Sequence, residues 1–410
     1  VHINPHMAAT ISPPVMVARR WLAMIRPATE ASLINMSQAA PVLPPPPSLC
    51  EAIARAAVEQ DAVHVYGPVL GLAQLREVLA AQWSVSYGGR IARDQVAITS
   101  GCNQAFTAAM AVLAAPGDNV VITTPWYFNH KMGLDMAGIA ARELPVEEDM
   151  QPHAERAASL IDARTRALVL ITPNNPTGCE YGMERIMQFY ELAQQRGIAL
   201  VVDETYRDFR SSGDRPHAIF TDPDWAKTLV HLYSFSKSFR LTGHRVGALV
   251  ASQRILDEVE KYLDTVTICP NQLGQHAALY GLANLGAWLA GERREILRRK
   301  QTLETELAAC DGWRLLGCGA YFAYIGHEGA VRSDTVAQQL LRAKNVLALP
   351  DTMFLPDTMR DGPPFSYRSI RFAYANIDCD GIVEFARRLA DFEPGALGCE
   401  GQDLPAGAAV

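Results

Sequence analysis

The sequence predicts an α/β protein with a large lobe built on a mostly parallel sheet and a smaller α+β lobe. Three observations carry this. From about residue 66 to 310, short β-branched runs alternate with helical patterns, the order that parallel crossovers require. From about 312 to 392, strands and helices follow one another in mixed order instead. The chain has 410 residues, 49% hydrophobic and 20% charged, enough for two or three lobes of ordinary globular balance, which excludes a disordered or low-complexity protein.

Residues 1–50 read as an N-terminal arm and connector. Val15, Val17, Trp21, Leu22 and Ile25 mark one helix, and the stretch Pro41 to Pro47 is extended because proline fixes its own φ and restrains the residue before it. Residues 51–310 form the large lobe, with strands expected at Gln95–Thr99, Asn119–Thr124, Ala167–Thr172, Ile198–Asp203, Leu229–Tyr233 and Val246–Ser252. Between them lie helices such as Met183–Arg196, whose Ile186, Phe189, Tyr190 and Ala193 share a face and which Gly197 stops. In such sheets ligands bind beyond the carboxyl ends of strands, so chemistry is expected just after these runs. Residues 311–392 form the small lobe, with elements at Tyr321–Ile325, Asp334–Ala343, Ser369–Ala373 and Gly381–Phe392. The Gly-, Ala- and Pro-rich tail, 393–410, is expected to be loose.

Charge and cysteine usage narrow the class. A net charge of −7 is not that of a nucleic-acid binder. The basic run Arg293, Arg294, Arg298, Arg299 and Lys300 is interleaved with Glu292, Glu295, Glu304 and Glu306, and reads as a solvated helix face. The apolar stretch Ala105 to Ala115 is shorter than the roughly 18 residues a membrane span needs. Eight scattered cysteines without a C-x-x-C argue against a zinc ribbon or a disulfide scaffold; no metal is expected. With no signal-peptide pattern at the start, the expectation is a cytoplasmic protein.

The strongest chemical signal is Ser234-Phe-Ser-Lys237-Ser-Phe-Arg-Leu-Thr-Gly-His-Arg245-Val-Gly247, directly after the strand Leu229–Tyr233. A lysine flanked by small hydroxyls, with an arginine eight residues on, suggests a covalent amine beside an anion pocket. A lysine near serines is ordinarily a surface lysine; the elements around this one reverse that reading. Val201-Val-Asp203-Glu-Thr-Tyr206 ends a strand on a carboxylate, and Pro173-Asn-Asn175-Pro-Thr-Gly178 has turn chemistry at another strand end. Thr99-Ser-Gly101-Cys102-Asn103-Gln104 lies between a strand and a helix, where free backbone N–H groups form a phosphate cradle.

In these motifs, their order and their spacing, the chain resembles the class I/II aminotransferases, the fold-type I enzymes of pyridoxal 5'-phosphate (PLP), from about Leu33 to Phe392. The resemblance implies a large domain with a seven-stranded-type sheet between helices and a smaller α+β domain. It implies Lys237 as the Schiff-base lysine and Arg245, with Ser234 and Ser236, at the phosphate. Gly101, Cys102 and Asn103 would add backbone contacts to that phosphate. Asp203 would pair with the pyridine nitrogen, Tyr206 and Asn175 would bond the phenolic oxygen, and Tyr127, in Pro125-Trp-Tyr127-Phe-Asn-His130, would stack on the ring. Tyr66, in Tyr66-Gly-Pro-Val-Leu-Gly71, resembles a tyrosine that reaches the neighbouring subunit's phosphate, which implies a homodimer with shared sites. Arg371, in Ser369-Ile-Arg371-Phe-Ala-Tyr-Ala375, would grip the substrate α-carboxylate, for which a planar guanidinium fork suits better than lysine. His130 is set aside as a base because Lys237 supplies one.

Three departures bear on substrate and reaction. Ala39 and Ala40 stand where the family usually has a glycine near the substrate carboxylate. Asp351 replaces a common glycine beside the expected active-site entrance, and Arg240 replaces a small or apolar residue. The leading expectation is transfer of an amino group from an L-amino acid to a 2-oxo acid. The alternatives are elimination, replacement or ring closure on an amino acid such as S-adenosylmethionine, as in aminocyclopropane-carboxylate synthases, and a non-catalytic PLP-sensing domain. The stretch Thr265–Gln275, where dicarboxylate-specific members often carry a second arginine, has no Arg or Lys. Neutral or larger substrates are therefore expected, against an aromatic wall of Tyr127, Trp126 and Tyr66, with Arg240 the only reserve cation.

Overall fold

The computed structural model describes residues 1–359 and 366–394, so the expected loose tail lies, beyond its first two residues, outside the described residues. In chain order the strands are β1 (Ile34–Asn35), β2 (Val96–Thr99), β3 (Asn119–Thr124), β4 (Ala140–Pro145), β5 (Thr165–Ile171), β6 (Ala199–Asp203), β7 (Leu229–Ser234), β8 (Gly247–Val250), β9 (Trp313–Gly319), β10 (Phe322–His327), β11 (Val346–Leu347), β12 (Leu349–Pro350) and β13 (Ser369–Phe372). A seven-stranded sheet runs β2-β8-β7-β6-β5-β3-β4. Its strands β3 to β7 pair in parallel, and β8 alone is antiparallel to both of its neighbours. A four-stranded antiparallel sheet, β12-β13-β10-β9, belongs to the C-terminal part.

The six strands expected for the large sheet are all present, within two residues at each end, and the helix Met183–Arg196 is matched at both bounds. Five strands were not legible: the two-residue β1, β11 and β12, and the longer β4 and β9. Both β4 and β9 are sheet edges with several half-buried or exposed positions, so no apolar run marks them. The arm is tied to the C-terminal part: β1 pairs in parallel with β11, the Met36 N–H donates to the Leu347 carbonyl (2.8 Å), and the Ala373 N–H donates to the Met36 carbonyl (2.8 Å). Among the described residues no helix is long and apolar enough to cross a membrane.

Side chains alternate across β6, and this alternation sorts two neighbouring acids onto opposite faces of the sheet. Val201 packs into one core with Phe106 and Ala109 of the helix Cys102–Leu113. Leu200 and Val202 pack into the opposite core with Leu79, Trp83 and Tyr87 of the helix Ala73–Tyr87. Continued by one residue each, the alternation sends Asp203 to the first face and Glu204 to the second.

Candidate active site

At the carboxyl ends of β5, β6 and β7 lies a cavity of about 450 Å³. Lys237 projects from a four-residue helix, Phe235–Ser238, that starts where β7 stops; the Ser234 hydroxyl caps it by accepting from the Ser236 N–H (3.2 Å). Lys237 Nζ donates to the Ala39 carbonyl (2.7 Å) and stands 5.7 Å from the centre of the Tyr206 ring. Enclosure, with Arg245 and Arg371 nearby, brings its pKa down to about 7. An amine there is substantially unprotonated near neutral pH, which nucleophilic chemistry requires.

Asp203, the last residue of β6, is 3% exposed yet lines the cavity. Its Oδ1 accepts from the Thr205 N–H (2.9 Å), and Oδ2 lies 3.2 Å from His130 Nε2. Burial alone would raise this carboxyl, but the close approach of His130, together with Thr205, holds it below its ordinary value. The His130 ring is fixed by stacking on Phe106, centroids 3.7 Å apart and planes within 10°. Sequence reasoning considered His130 only as a base and missed this contact; its place one turn into the helix after β3 was the available signal.

Arg371, on β13, is 2% exposed. It donates from Nη1 to Asn175 Oδ1 (2.9 Å) and from Nη2 to the Ser37 carbonyl, and its buried Nε has no partner. Burial lowers its pKa to about 10 against the opposing pull of Tyr206 and Tyr127. A buried cation bonded only to neutral oxygens, with one N–H unmet, is an anion receptor.

The phosphate end is also built. Gly101 caps the helix Cys102–Leu113 at φ +85°, and a Cβ there would lie 2.3 Å from Arg245 Nη2. The amides of Cys102 and Asn103 precede the first N–H that donates within the helix, that of Gln104 to the Gly101 carbonyl (3.1 Å). Arg245 bonds only neutral oxygens, at Thr242 (3.1 Å), Ser236 Oγ (3.5 Å) and Ser100 (3.5 Å). Burial and Asp203 raise the Cys102 thiol well above its usual range, which disfavours the thiolate. A helix start, an arginine without an acid and two hydroxyls fit a phosphate; the Asp203 carboxylate and the Lys237 amine fit the ring and carbonyl of PLP.

Ala39, Ala40, Asn175, Tyr206, Ser234 and Ser236 line the same cavity, and so does Tyr127, whose hydroxyl bridges Asn129 (2.9 Å) and Asn103 (3.3 Å). Gly101 is not among the lining residues; it caps the helix that carries Cys102 and Asn103, which are. Tyr66 is not brought to it: the ring is 78% exposed. Trp126 is buried outside the cavity with Lys131 over its ring, and Phe128 takes the wall position instead.

Two departures read from the sequence are also relocated. Arg240 points away, bonded to Glu292 (2.6 Å) and the Pro44 carbonyl (3.1 Å) and stacked on Trp288. Asp351 lines a separate cavity of about 180 Å³, accepting from Ser333 Oγ (2.5 Å) and the Ser369 N–H (3.0 Å). Sequence reasoning missed Arg19, Val15 and Met16 of the helix Pro14–Met24, which also line the substrate cavity.

Comparison with known proteins agrees with this geometry. The family model for aminotransferase class I and II matches residues 31–389. The chain is 28% identical to an aspartate aminotransferase of Thermotoga maritima over 364 residues, 88% of this chain and 91% of that one. It is 29% identical to transaminase BacF of Bacillus subtilis, covering 70% and 72% of the two chains. The structure of a single mutant of Thermus thermophilus aspartate aminotransferase superposes with a TM-score of 0.84 at 24% identity, over 95% of this chain and 99% of that one. An Escherichia coli protein, YbdL, whose structure is described as identifying a methionine aminotransferase function, gives 0.84 at 22% identity, over 96% and 100%. The chain belongs to the class I and II aminotransferase family, with the fold of the fold-type I PLP-dependent enzymes.

Proposed function

We propose that the protein is an aminotransferase that holds PLP on Lys237 and moves the amino group of an L-amino acid to a 2-oxo acid. The observation that carries this is one cavity uniting a lysine of lowered pKa, a buried Asp203 carboxylate and the Arg371 fork. When bound, PLP supplies an electron sink that makes the substrate Cα–H acidic.

The chain's own residues do the rest. Arg245, Ser234, Ser236 and the amides of Cys102 and Asn103 hold the phosphate. Asp203, kept ionised by His130 and Thr205, holds a proton at the ring nitrogen. Asn175 has its Oδ1 occupied by Arg371, which leaves its Nδ2 free to donate; with Tyr206 it would hold the phenolic oxygen. Tyr127 covers the ring. Arg371 takes the α-carboxylate, its Nε gaining the partner it lacks. The Lys237 amine, free to act as a base, would take the proton from the substrate Cα and deliver it to the cofactor's carbonyl carbon. Val15, Met16 and Phe128 form an apolar wall against water.

The proposal includes a homodimer, with Tyr66 of the partner subunit at the phosphate; the exposed Tyr66 and Val65 (64%) support it. A mixed dimer of Tyr66→Phe and Lys237→Ala subunits should then recover about half of wild-type activity, because one site carries both defects and the other neither. Transfer itself is tested with ¹⁵N-labelled amino acids and a panel of unlabelled 2-oxo acids. Label is expected in a new amino acid; release of ammonia or of a leaving group, with no labelled amino acid, would refute transfer.

A further inference from the structure

We propose that Arg19, on the N-terminal helix, reads the far end of the substrate, and that the favoured substrates are amino acids and 2-oxo acids carrying a second carboxylate. This deepens the aminotransferase reading and rests on it.

Charge singles Arg19 out. The lining holds four cationic side chains, Arg19, Lys237, Arg245 and Arg371, and one acid, Asp203. Asp203 is paired with His130. In the proposed site Arg245 serves the phosphate, Lys237 the cofactor carbonyl and Arg371 the α-carboxylate. Arg19 is left over. Its hydrogen bond is to a neutral oxygen, Gln38 Oε1 (3.2 Å), and among the described residues no carboxylate pairs with it. Arg240, the cation that the sequence offered for this task, is neutralised by Glu292 outside the cavity.

Placement points the same way. Along the helix Pro14–Met24, Val17, Ala18 and Trp21 enter the core, while Val15, Met16 and Arg19 line the cavity. Val15 and Arg19, four apart, share a face, so Arg19 is presented to the cavity by a helix seated on its other side. Arg371 bonds the Ser37 carbonyl and Arg19 bonds the side chain of Gln38. The two guanidinium groups are thus attached to successive residues of one segment, which continues into Ala39 and Ala40 and accepts from Lys237. Both line the same cavity, so the proposed substrate would set one carboxylate on each. Arg19 is solvent-exposed in this structure, as a group awaiting a charged ligand at a cavity mouth would be.

The test compares the PLP-loaded wild-type protein with Arg19→Gln and Arg19→Lys. Steady-state kcat/KM is measured for glutamate, aspartate, methionine and phenylalanine with one fixed 2-oxo acid. Calorimetry measures binding of succinate, which cannot react. We expect wild type to favour the acidic pair and Arg19→Gln to lower the acidic-to-neutral ratio by about tenfold or more, through KM, the size of a lost charge-assisted contact. Succinate affinity should fall in parallel, with Arg19→Lys keeping part of both. An unchanged ratio, or an equal loss for both classes, would overturn the proposal and make Arg19 only a tether for its helix. If wild type transfers no amino group at all, the aminotransferase reading fails. Succinate binding then decides the Arg19 claim separately, and binding that is indifferent to Arg19 would sink it.

Discussion

Asp203 and Glu204 are consecutive, both are almost wholly buried, and each meets a histidine, yet they face opposite sides of the large sheet. Behind the sheet, Glu204 Oε2 accepts from Tyr87 Oη and lies 2.8 Å from His231 Nε2, with His217 Nε2 at 3.9 Å. Arg207 donates to the same tyrosine hydroxyl (3.1 Å) and lies over the Trp83 and Tyr87 rings. In front, Asp203 meets His130, Thr205 and the Cys102 thiol and looks onto open space beside Lys237. Glu204, His217 and His231 have ligand-type atoms within 4.8 Å of one another, but Tyr87 and His231 already occupy the shared oxygen and Arg207 adds a cation. A carboxylate–histidine pair is therefore not by itself a site. The front pair differs because its carboxylate lines a cavity that it shares with Lys237, Arg245 and Arg371, whereas Glu204 is closed in by aromatic rings and histidines.

The sharpest way to break this comparison is to neutralise each carboxylate. Asp203→Asn should lower turnover by roughly a hundredfold to a thousandfold or more, because the charge it presents to the cavity is lost, while thermal stability changes little. Glu204→Ala should do the reverse, costing about 3–5 kcal/mol in urea denaturation because Arg207 and the histidines lose their partner. If both variants lose stability and keep turnover, front and back do not differ in this way.

Acid denaturation separates the faces next. Burial lowers the pKa of His217 to about 4, so the fold disfavours its protonated form. That contribution is complete above the unfolded value of 6.5 and is lost as pH falls from 6.5 toward 4. For Glu204, burial acts upward, but His217, His231 and Arg207 bring it down to about 2, so its contribution is lost between 4.5 and 2. Urea midpoints at pH 7 and pH 5 should differ in wild type, and His217→Phe should narrow the difference. A gap of unchanged size would contradict the assignment.

A smaller effect belongs to His130. Its replacement by phenylalanine should reduce turnover about tenfold, less than Asp203→Asn, because Thr205 still bonds the carboxylate. An effect as large as that of Asp203→Asn would make His130 an equal partner in the chemistry.

The smallest concerns Asp351, away from both faces. Burial pushes its carboxyl up to about 7, only partly opposed by Ser333 and the Ser369 amide. A raised acid stabilises the fold at low pH and loses that contribution as pH rises from 3.8 through 7. Asp351→Asn should therefore gain in melting temperature relative to wild type as pH rises from 5 to 8, and exceed it at pH 8. A lower melting temperature at pH 8 would show that the charged form is the one the fold uses.

The same division separates the legible residues from the illegible ones. Lys237, Asp203 and Asn175 stand just past buried strands whose β-branched runs are strong local signals, so a strand-end rule reaches them. The helix Pro14–Met24 was visible as an apolar pattern, but nothing local says that its other side lines a cavity, and Arg19 was overlooked for that reason. Arg240 and Asp351 were noticed as odd residues and assigned to the site by position in the chain. Their actual partners, Glu292 and Ser333, come from helices that tertiary packing alone brings near. His130 and Glu204 show the limit most clearly, because only the alternation of β6 and the helices on each face decide which histidine meets which acid.

Lys237 is the residue on which the proposed chemistry is anchored. Borohydride reduction of the PLP-loaded protein, with peptide mass mapping of the product, tests this most directly. The expected result is a pyridoxyl adduct fixed on the peptide containing Lys237 and absent from Lys237→Ala. An adduct on another lysine, or a Lys237→Ala protein that still transfers amino groups at the wild-type rate, would contradict it.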